Sequence, residues 1–215
     1  MIKKLLGFFN SSDKRGLTLI EVLVTASLIV FISTLIIQNF SISVDALRAA
    51  NVMASDIRLA QQLALSAHQF QGPGDPEPRN RCGYGITGIF GSGKYVIFAG
   101  APTLTPAGLP NVCGPQKYVA SPDYPIYRSI QIDSRLSFGG GGFGFEDIFF
   151  QPPGSATYIN GSNVPSGDPW ERIIIKKTGV LDADCDGGSP ACAFICVYYS
   201  GRVEVSRNPV CPAAF

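Results

Sequence analysis

Leu17 to Phe40 read LTLIEVLVTASLIVFISTLIIQNF, 24 residues in which Glu21 carries the only charge. A transmembrane helix needs about 20 predominantly apolar residues, so this stretch predicts one. Residues 1–16 before it have a net charge of +3, from one acidic side chain and four basic ones: Lys3, Lys4, Lys14 and Arg15. Because basic residues flank the cytoplasmic end of a membrane helix, we expect a single pass with the N-terminus in the cytoplasm and the rest of the chain outside.

Two simpler explanations of the apolar stretch exist. A cleaved secretory signal peptide has an apolar region of about 7–15 residues, shorter than this one, and would not carry a carboxylate near its start. A plain signal anchor fits the length better and stays open as an alternative. Its weakness is that the helical pattern continues past Phe40.

Residues 41–71 extend that helical pattern. Leu17 to Gln71 contain neither Gly nor Pro, and Ala, Leu, Gln and Arg, all good helix formers, dominate the second half. Apolar residues recur there at spacings of three and four: Leu47, Ala50, Ala54, Ile57, Ala60, Leu63, Ala64 and Ala67. One helix over the 55 residues from Leu17 to Gln71 would measure about 80 Å, far more than the thickness of a bilayer. Its amphipathic second half is therefore expected to pack on a head domain or on neighbouring subunits.

The stretch Lys14-Arg15-Gly16-Leu17-Thr18-Leu19-Ile20-Glu21, followed by the apolar run, resembles the N-terminal signature of type IV prepilins and of type II secretion pseudopilins. Residues 56–66, DIRLAQQLALS, are similar to the second half of the long helix in H-type minor pseudopilins. The resemblance implies that a prepilin peptidase cuts after Gly16 and methylates the new terminus at Leu17. Phe is commonest in the family where Leu17 stands, and many relatives have a kinking Pro near the position of Gln38.

Glu21 would be the fifth residue of the mature chain. In the family this glutamate pairs with the terminal amine of a neighbouring subunit, which implies a role for Glu21 in setting the register of assembly. Its position near the start of the apolar run allows a purely structural alternative, in which the carboxylate reaches back to the lipid headgroups.

Residues 72–215 predict an exported head domain rich in strands. They open with the turn-rich segment Pro73 to Pro78, and short alternating runs follow, beginning with a hairpin from Tyr84 to Ala99. The expected fold class is α+β: a long N-terminal helix, transmembrane over 17–40 and amphipathic over 41–71, packed on a mainly antiparallel sheet in a pilin-like architecture.

All six cysteines lie in the predicted head, which favours disulfides formed in an oxidising compartment. Six cysteines allow 15 connectivities. The spacing suggests, as a guess, the pairs Cys82–Cys113, Cys185–Cys192 and Cys196–Cys211. Free thiols buried as small apolar groups are the alternative.

The run Asp182-Ala-Asp184-Cys-Asp186-Gly187 resembles the first half of a calcium loop, because hard cations prefer several oxygen ligands at alternate positions. An EF-hand would have Glu where Ala193 stands, so an exposed acidic turn is the alternative. One His and no metal-finger spacing argue against zinc. The run Gly88 to Lys94 imitates a phosphate-binding loop, but Tyr95 replaces the required Ser or Thr, and the sequence contains no catalytic motif.

These patterns predict a structural subunit of a type IV pilus-like filament or a type II secretion pseudopilus, serving assembly, secretion, adhesion or DNA uptake. A membrane-anchored binding module that does not polymerise is the alternative. The expected location is the inner membrane and then a periplasmic or surface filament. Expected partners are the prepilin peptidase, other subunits, an inner-membrane assembly platform and lipid. Nucleic acid is not expected, because the net charge is only +1 and no cationic cluster appears.

Overall fold

A computed structural model describes residues 18–72, 77–89, 92–101, 116–120, 124–140, 145–152, 156–164 and 169–213, with the side chains of 35–44 excepted. The chain divides after Phe40 into two compact units, the second of which is Ser41–Phe215. Helical backbone is assigned over Leu19–Leu65 (α1), and a single helical turn, α2, over Asp182–Asp186.

The predicted long helix packed on a sheet is wrong as a description of this fold, because the described side chains of α1 that pack with the sheets lie in 45–65, whereas 19–34 belongs to the other unit. The helical stretches described in full are 19–34 and 45–65, which belong to different units, and the chain is mainly β-sheet. Among the described residues, no helix is both long and apolar enough to cross a membrane. The predicted transmembrane segment and single-pass inner-membrane location are corrected accordingly.

Eleven strands are described. They are β1 (Gln69–Phe70), β2 (Arg79–Asn80), β3 (Tyr84–Ile89), β4 (Lys94–Ala99), β5 (Ile126–Gln131), β6 (Leu136–Phe138), β7 (Ile148–Gln151), β8 (Ala156–Ile159), β9 (Trp170–Lys177), β10 (Cys192–Tyr198) and β11 (Val203–Ser206). They form a five-stranded sheet ordered β5-β4-β3-β7-β8, a four-stranded sheet ordered β11-β10-β9-β6, and the pair β1-β2. Every pairing is antiparallel, as the sequence predicts.

One apolar core joins the stretch 45–65 to both larger sheets. The helix contributes mostly small side chains, which let it approach the sheets closely: Ala46, Ala50, Met53, Ala54, Ile57, Ala60, Leu63 and Ala64. The five-stranded sheet supplies Ile86, Ile97 and Ile148, and the four-stranded sheet supplies Ile175 and Ile195. The predicted apolar stripe is therefore largely confirmed, although Leu47 is only half-buried and Ala67 is exposed.

A buried carboxylate fastens this helix to the five-stranded sheet. Asp56 is only 7% exposed. The hydroxyl of Tyr95 on β4 donates to its Oδ2 at 2.6 Å, and Nη1 of Arg128 on β5 lies 3.3 Å from its Oδ1. Burial, with the Asp56 carboxylate adding to it, raises the pKa of Tyr95 above its usual range, so this hydroxyl stays protonated and remains a donor.

Asp56→Ala should lower the free energy of unfolding by about 3 kcal/mol, because it leaves the buried Tyr95 hydroxyl without its acceptor and Arg128 without its counter-charge. Tyr95→Phe, which leaves the carboxylate paired with Arg128, should cost only about 1 kcal/mol. Urea unfolding with the disulfides intact measures both. The exposed Glu77 supplies a control in Glu77→Ala, and an Asp56→Ala cost no larger than that of the control would contradict the assignment.

Glu171 on β9 is a second partly buried carboxylate. It pairs in register with Val197 and accepts a hydrogen bond from the backbone N–H of Glu146, which precedes β7. The pKa of Glu171 is raised from its ordinary 4.5 to about 7, mainly by burial. The negative charge of the nearby Glu146 carboxylate also raises this pKa, by more than the positive charge of Arg172 lowers it. Glu171 therefore binds a proton more tightly in the folded chain than in the unfolded one, and protonation of Glu171 stabilises the fold.

Because the folded pKa of Glu171 lies above the unfolded one, its contribution to stability is fully present below about pH 4.5 and is lost as the pH rises through about 7. The free energy of unfolding should fall by about 2 kcal/mol across this range, after allowance for partial solvent screening. Glu171→Gln should flatten that part of the pH profile, measured by urea unfolding. A profile in Glu171→Gln as steep as in the parent would show that another group is responsible.

Candidate functional site

The helical stretch 19–34 presents apolar side chains to solvent on all sides. All the residues of 18–34 are exposed. Large apolar side chains at least half exposed occur at ten of these positions: Leu19, Ile20, Val22, Leu23, Val24, Leu28, Ile29, Val30, Phe31 and Ile32. Fully burying one such side chain is worth about 1.5–3 kcal/mol, so covering this surface would yield on the order of 10 kcal/mol. A helix that is apolar all round is normally covered by other structure.

The hydroxyl groups on this stretch are satisfied within the helix. Thr25 donates to the carbonyl of Glu21 at 2.9 Å, Ser27 to that of Val24 at 2.8 Å, and Thr34 to that of Phe31 at 2.7 Å. Side chains that bond back to their own helix need no external polar partner. A covering surface could therefore be entirely apolar, except where it meets Glu21.

Thr18 and Glu21 shape the start of the helix. The carbonyl of Thr18 accepts from the backbone N–H of Glu21 at 2.9 Å, and its hydroxyl oxygen lies 3.4 Å from the same nitrogen. Thr18 is thus the N-cap, and Glu21 is the third helical residue, the spacing of a capping box. The sequence signal for this cap is Thr-x-x-Glu before an apolar run.

The Glu21 carboxylate has no hydrogen-bond or ion-pair partner among the described residues. Its position in the first turn is favourable, because the unpaired N–H groups of a helix N-terminus carry partial positive charge. It is the only charged side chain on the exposed stretch. A partner that covers this stretch must therefore supply a counter-charge or leave Glu21 at the edge of the contact.

Several residues of the predicted site lie outside the described residues. They are the processing residues Gly16 and Leu17, the basic pair Lys14 and Arg15, and Cys113. Their roles stay predictions.

The three aspartates of the predicted calcium site have separate partners. Oδ1 of Asp182 lies 2.7 Å from Nζ of Lys176, and Oδ2 of Asp184 accepts from the backbone N–H of Leu181 at 3.3 Å. Oδ1 of Asp186 pairs with Nη1 of Arg172 at 3.0 Å. No group of three metal-ligating side chains occurs among the described residues. Calcium binding stays a prediction, on a turn that Asp182 and Asp186 already hold to the strand β9.

Disulfides are confirmed in the head. The structure contains Cys185–Cys192 and Cys196–Cys211, two of the pairs suggested from the spacing, and Cys82 is also disulfide-bonded. Both defined bridges start from one face of β10, which also carries Phe194 and Tyr198. They tie α2 and the C-terminal segment over that face. Disulfides of this kind are typical of oxidising, extracytoplasmic compartments.

A cavity of about 260 Å³ opens between the helical stretch 45–65 and the turn after β5. Val52, Ile130 and Leu136 contribute apolar lining. Arg135 also lines the cavity. Its Nη1 lies 3.2 Å from Oδ2 of Asp45, and its Nη2 lies 2.9 Å from Oδ2 of Asp133. The hydrogen bonds from Arg135 lower the pKa of Asp133 to about 2, so this carboxylate is charged at neutral pH and compensates the charge of the arginine.

Comparisons of the chain with known protein families, with curated proteins and with solved structures gave no match. The assignment of function therefore depends on the sequence signature and on the geometry of the exposed helix.

Thr18→Val should weaken the first turn of the helix, because it replaces the capping oxygen with a methyl group at nearly constant volume. A loss of about 1 kcal/mol is expected, which would speed amide hydrogen exchange about fivefold at Glu21 and Val22, whose N–H groups donate to Thr18. Thr25→Val is the matched control, since its hydroxyl only bonds back to a carbonyl that is already bonded in the helix. Equal exchange rates in the two variants would refute the cap.

Proposed function

We propose that this chain is a structural, non-enzymatic subunit of a type IV pilus-like filament or a type II secretion pseudopilus, cut by prepilin peptidase after Gly16 and assembled through the helical stretch 19–34. The observation that carries the proposal is this stretch itself. It combines an exposed apolar surface on every side with a single carboxylate in the first turn. Copies of one chain can cover such a surface by packing these stretches together.

The position of the cut supports a role for Glu21 in assembly. Cleavage after Gly16 creates a charged amine on Leu17, one residue before the Thr18 cap. A cation at a helix N-terminus faces the partial positive charge of the unpaired N–H groups, so this amine favours a nearby carboxylate. Glu21, which lacks a partner among the described residues, is suited to receive the amine of an adjacent copy.

This pairing would determine register more than affinity. Burying a carboxylate and an amine together costs desolvation that their attraction roughly offsets, whereas burying either one alone costs several kcal/mol. Copies that pack with Glu21 opposite a neighbour's amine are therefore favoured over copies shifted along the helix. The apolar side chains supply the affinity, and the carboxylate selects one alignment.

Gly16→Ala should leave the chain uncut when it is produced together with a prepilin peptidase, because the enzyme requires glycine before the cleaved bond in the family that this signature resembles. Intact mass distinguishes the precursor from a product that begins at a methylated Leu17. Recovery of the same mature terminus from Gly16→Ala and from the parent would contradict processing at this site.

Glu21→Leu should be cut normally and yet fail to form regular filaments, because it leaves the neighbour's amine without a counter-charge. Shearing the cells and weighing the recovered filament fraction measures assembly, while intact mass measures cutting. Glu21→Asp, which keeps the charge, should recover part of the assembly, and Thr25→Val serves as a control on the same stretch. Normal filaments from Glu21→Leu would overturn the role of the carboxylate without overturning the site of cleavage.

A further inference from the structure

A tight turn at Asn160-Gly161 follows β8. The backbone N–H of Ile159 donates to the carbonyl of Ser162 at 2.8 Å, and the N–H of Ser162 donates back at 3.0 Å, which closes a two-residue loop. Asn160 has φ +49° and Gly161 has φ +80°, the left-handed values that such a loop requires and that Asn-Gly adopts readily. Asn160 is exposed to solvent.

The surroundings of this turn leave its reactive atoms accessible. Gly161 has no side chain to hinder approach to its nitrogen, and its N–H donates no hydrogen bond to any described residue. Among the described residues, a Cβ placed on Gly161 would meet only Lys117, at 3.8 Å. Asn160 is therefore exposed to water, and the nitrogen of the next residue is not hindered by a side chain of its own.

The other asparagines on the described part of the chain, outside 35–44, are less suited to the same chemistry. Asn51 lies within the helix, where its side-chain nitrogen donates to the carbonyl of Leu47 at 2.9 Å. Asn208 precedes Pro209, which has no N–H. Asn80 and Asn163 precede Arg81 and Val164, whose side chains crowd the following nitrogen.

We propose that Asn160 is a site of spontaneous deamidation and isoaspartate formation, independent of the role in filaments. The nitrogen of Gly161 loses its proton to solvent and attacks Cγ of Asn160; the new N–Cγ bond closes a five-membered succinimide as the side-chain amide leaves as ammonia. One water then opens the ring. Attack at Cγ gives aspartate, and attack at the main-chain carbonyl carbon gives isoaspartate, so the balance is one water consumed and one ammonia released.

The isoaspartate product would alter the end of the five-stranded sheet. It inserts an extra methylene into the backbone of a two-residue loop, which can no longer close the pair of hydrogen bonds between Ile159 and Ser162. The hydrogen bond from the N–H of Asn160 to the carbonyl of Asp147, at 2.8 Å, lies on the same turn. Both products also place a new carboxylate near Lys117.

The test incubates the full, disulfide-bonded chain at neutral and at mildly alkaline pH and maps its peptides by mass spectrometry over time. Conversion should appear at Asn160 before any other asparagine, and should be faster at the higher pH because the attacking nitrogen must lose a proton. Enzymatic methylation of isoaspartate gives a second readout. The reduced, denatured chain serves as a reference for the reactivity of the same sequence without the fold.

Asn160→Gln should abolish the conversion, because the corresponding ring is larger and closes far more slowly, whereas Asn163→Gln should leave it unchanged. The proposal is overturned if another asparagine converts first in the folded chain. It is also overturned if Asn160 stays intact long after the denatured reference has reacted, or if Asn160 carries a glycan in protein isolated from cells, since Asn-Gly-Ser also matches a glycosylation acceptor.

Discussion

The contact on which the head depends is the close approach of a small-residue helix face to two sheets at once. Ala46, Ala50 and Ala54 have no exposed surface, and they belong to the same core as Ile97 and Ile195 of the two sheets. Larger side chains at these helix positions would force the sheets away from the helix, since packed interiors tolerate little added volume. The hydrogen bond from the Tyr95 hydroxyl to the Asp56 carboxylate determines which part of the helix lies against β4.

Two parts of the helical sequence thus have opposite environments. In 45–65, one face is buried among the strands of its own chain, and polar residues such as Arg48 and Asn51 occupy the other. In 19–34, no described side chain is buried, although this part is the more apolar. The stretch 45–65 gains free energy by burying its apolar face within its own unit. The stretch 19–34 can gain free energy from apolar burial only by contact with something outside its own unit. This difference is the reason that we propose the N-terminal part as the site of assembly.

Patterns that arise from local periodicity were predictable from the sequence. The predicted hairpin from Tyr84 to Ala99 corresponds to the pair β3 and β4, and the spacing of Ala50, Ala54 and Ile57 identified the buried helix face. Features that depend on contacts distant in sequence were not predictable. Nothing near Asp56 indicates that Tyr95 and Arg128 will meet it. The three-residue strand β6 and the four-residue β8 are too short to show a period, and they exist because β9 and β7 offer them partners.

The candidate site was predictable as a motif and only partly as a structure. The residues from Lys14 to Glu21 predicted processing and assembly. Thr18 and Glu21 in the same segment also form the start of a helix, with Thr18 as its N-cap. The predicted transmembrane segment, residues 17–40, is not supported, because no helix among the described residues is both long and apolar enough to cross a membrane. The three aspartates suggested one cation, and the structure gives each of them a different partner.

The two disulfides that start from β10 have a mechanical consequence. Cys185–Cys192 and Cys196–Cys211 close covalent loops spanning 7 and 15 positions of the chain. If tension enters the head through its N-terminal helix, the first element to bear it is the stretch 45–65, which would have to slide along the sheets before any strand separates. Within the C-terminal part of the head, the two disulfides limit how far the chain inside each loop can extend. Under load, the helix–sheet contact would yield while the cross-linked C-terminal strands keep their shape.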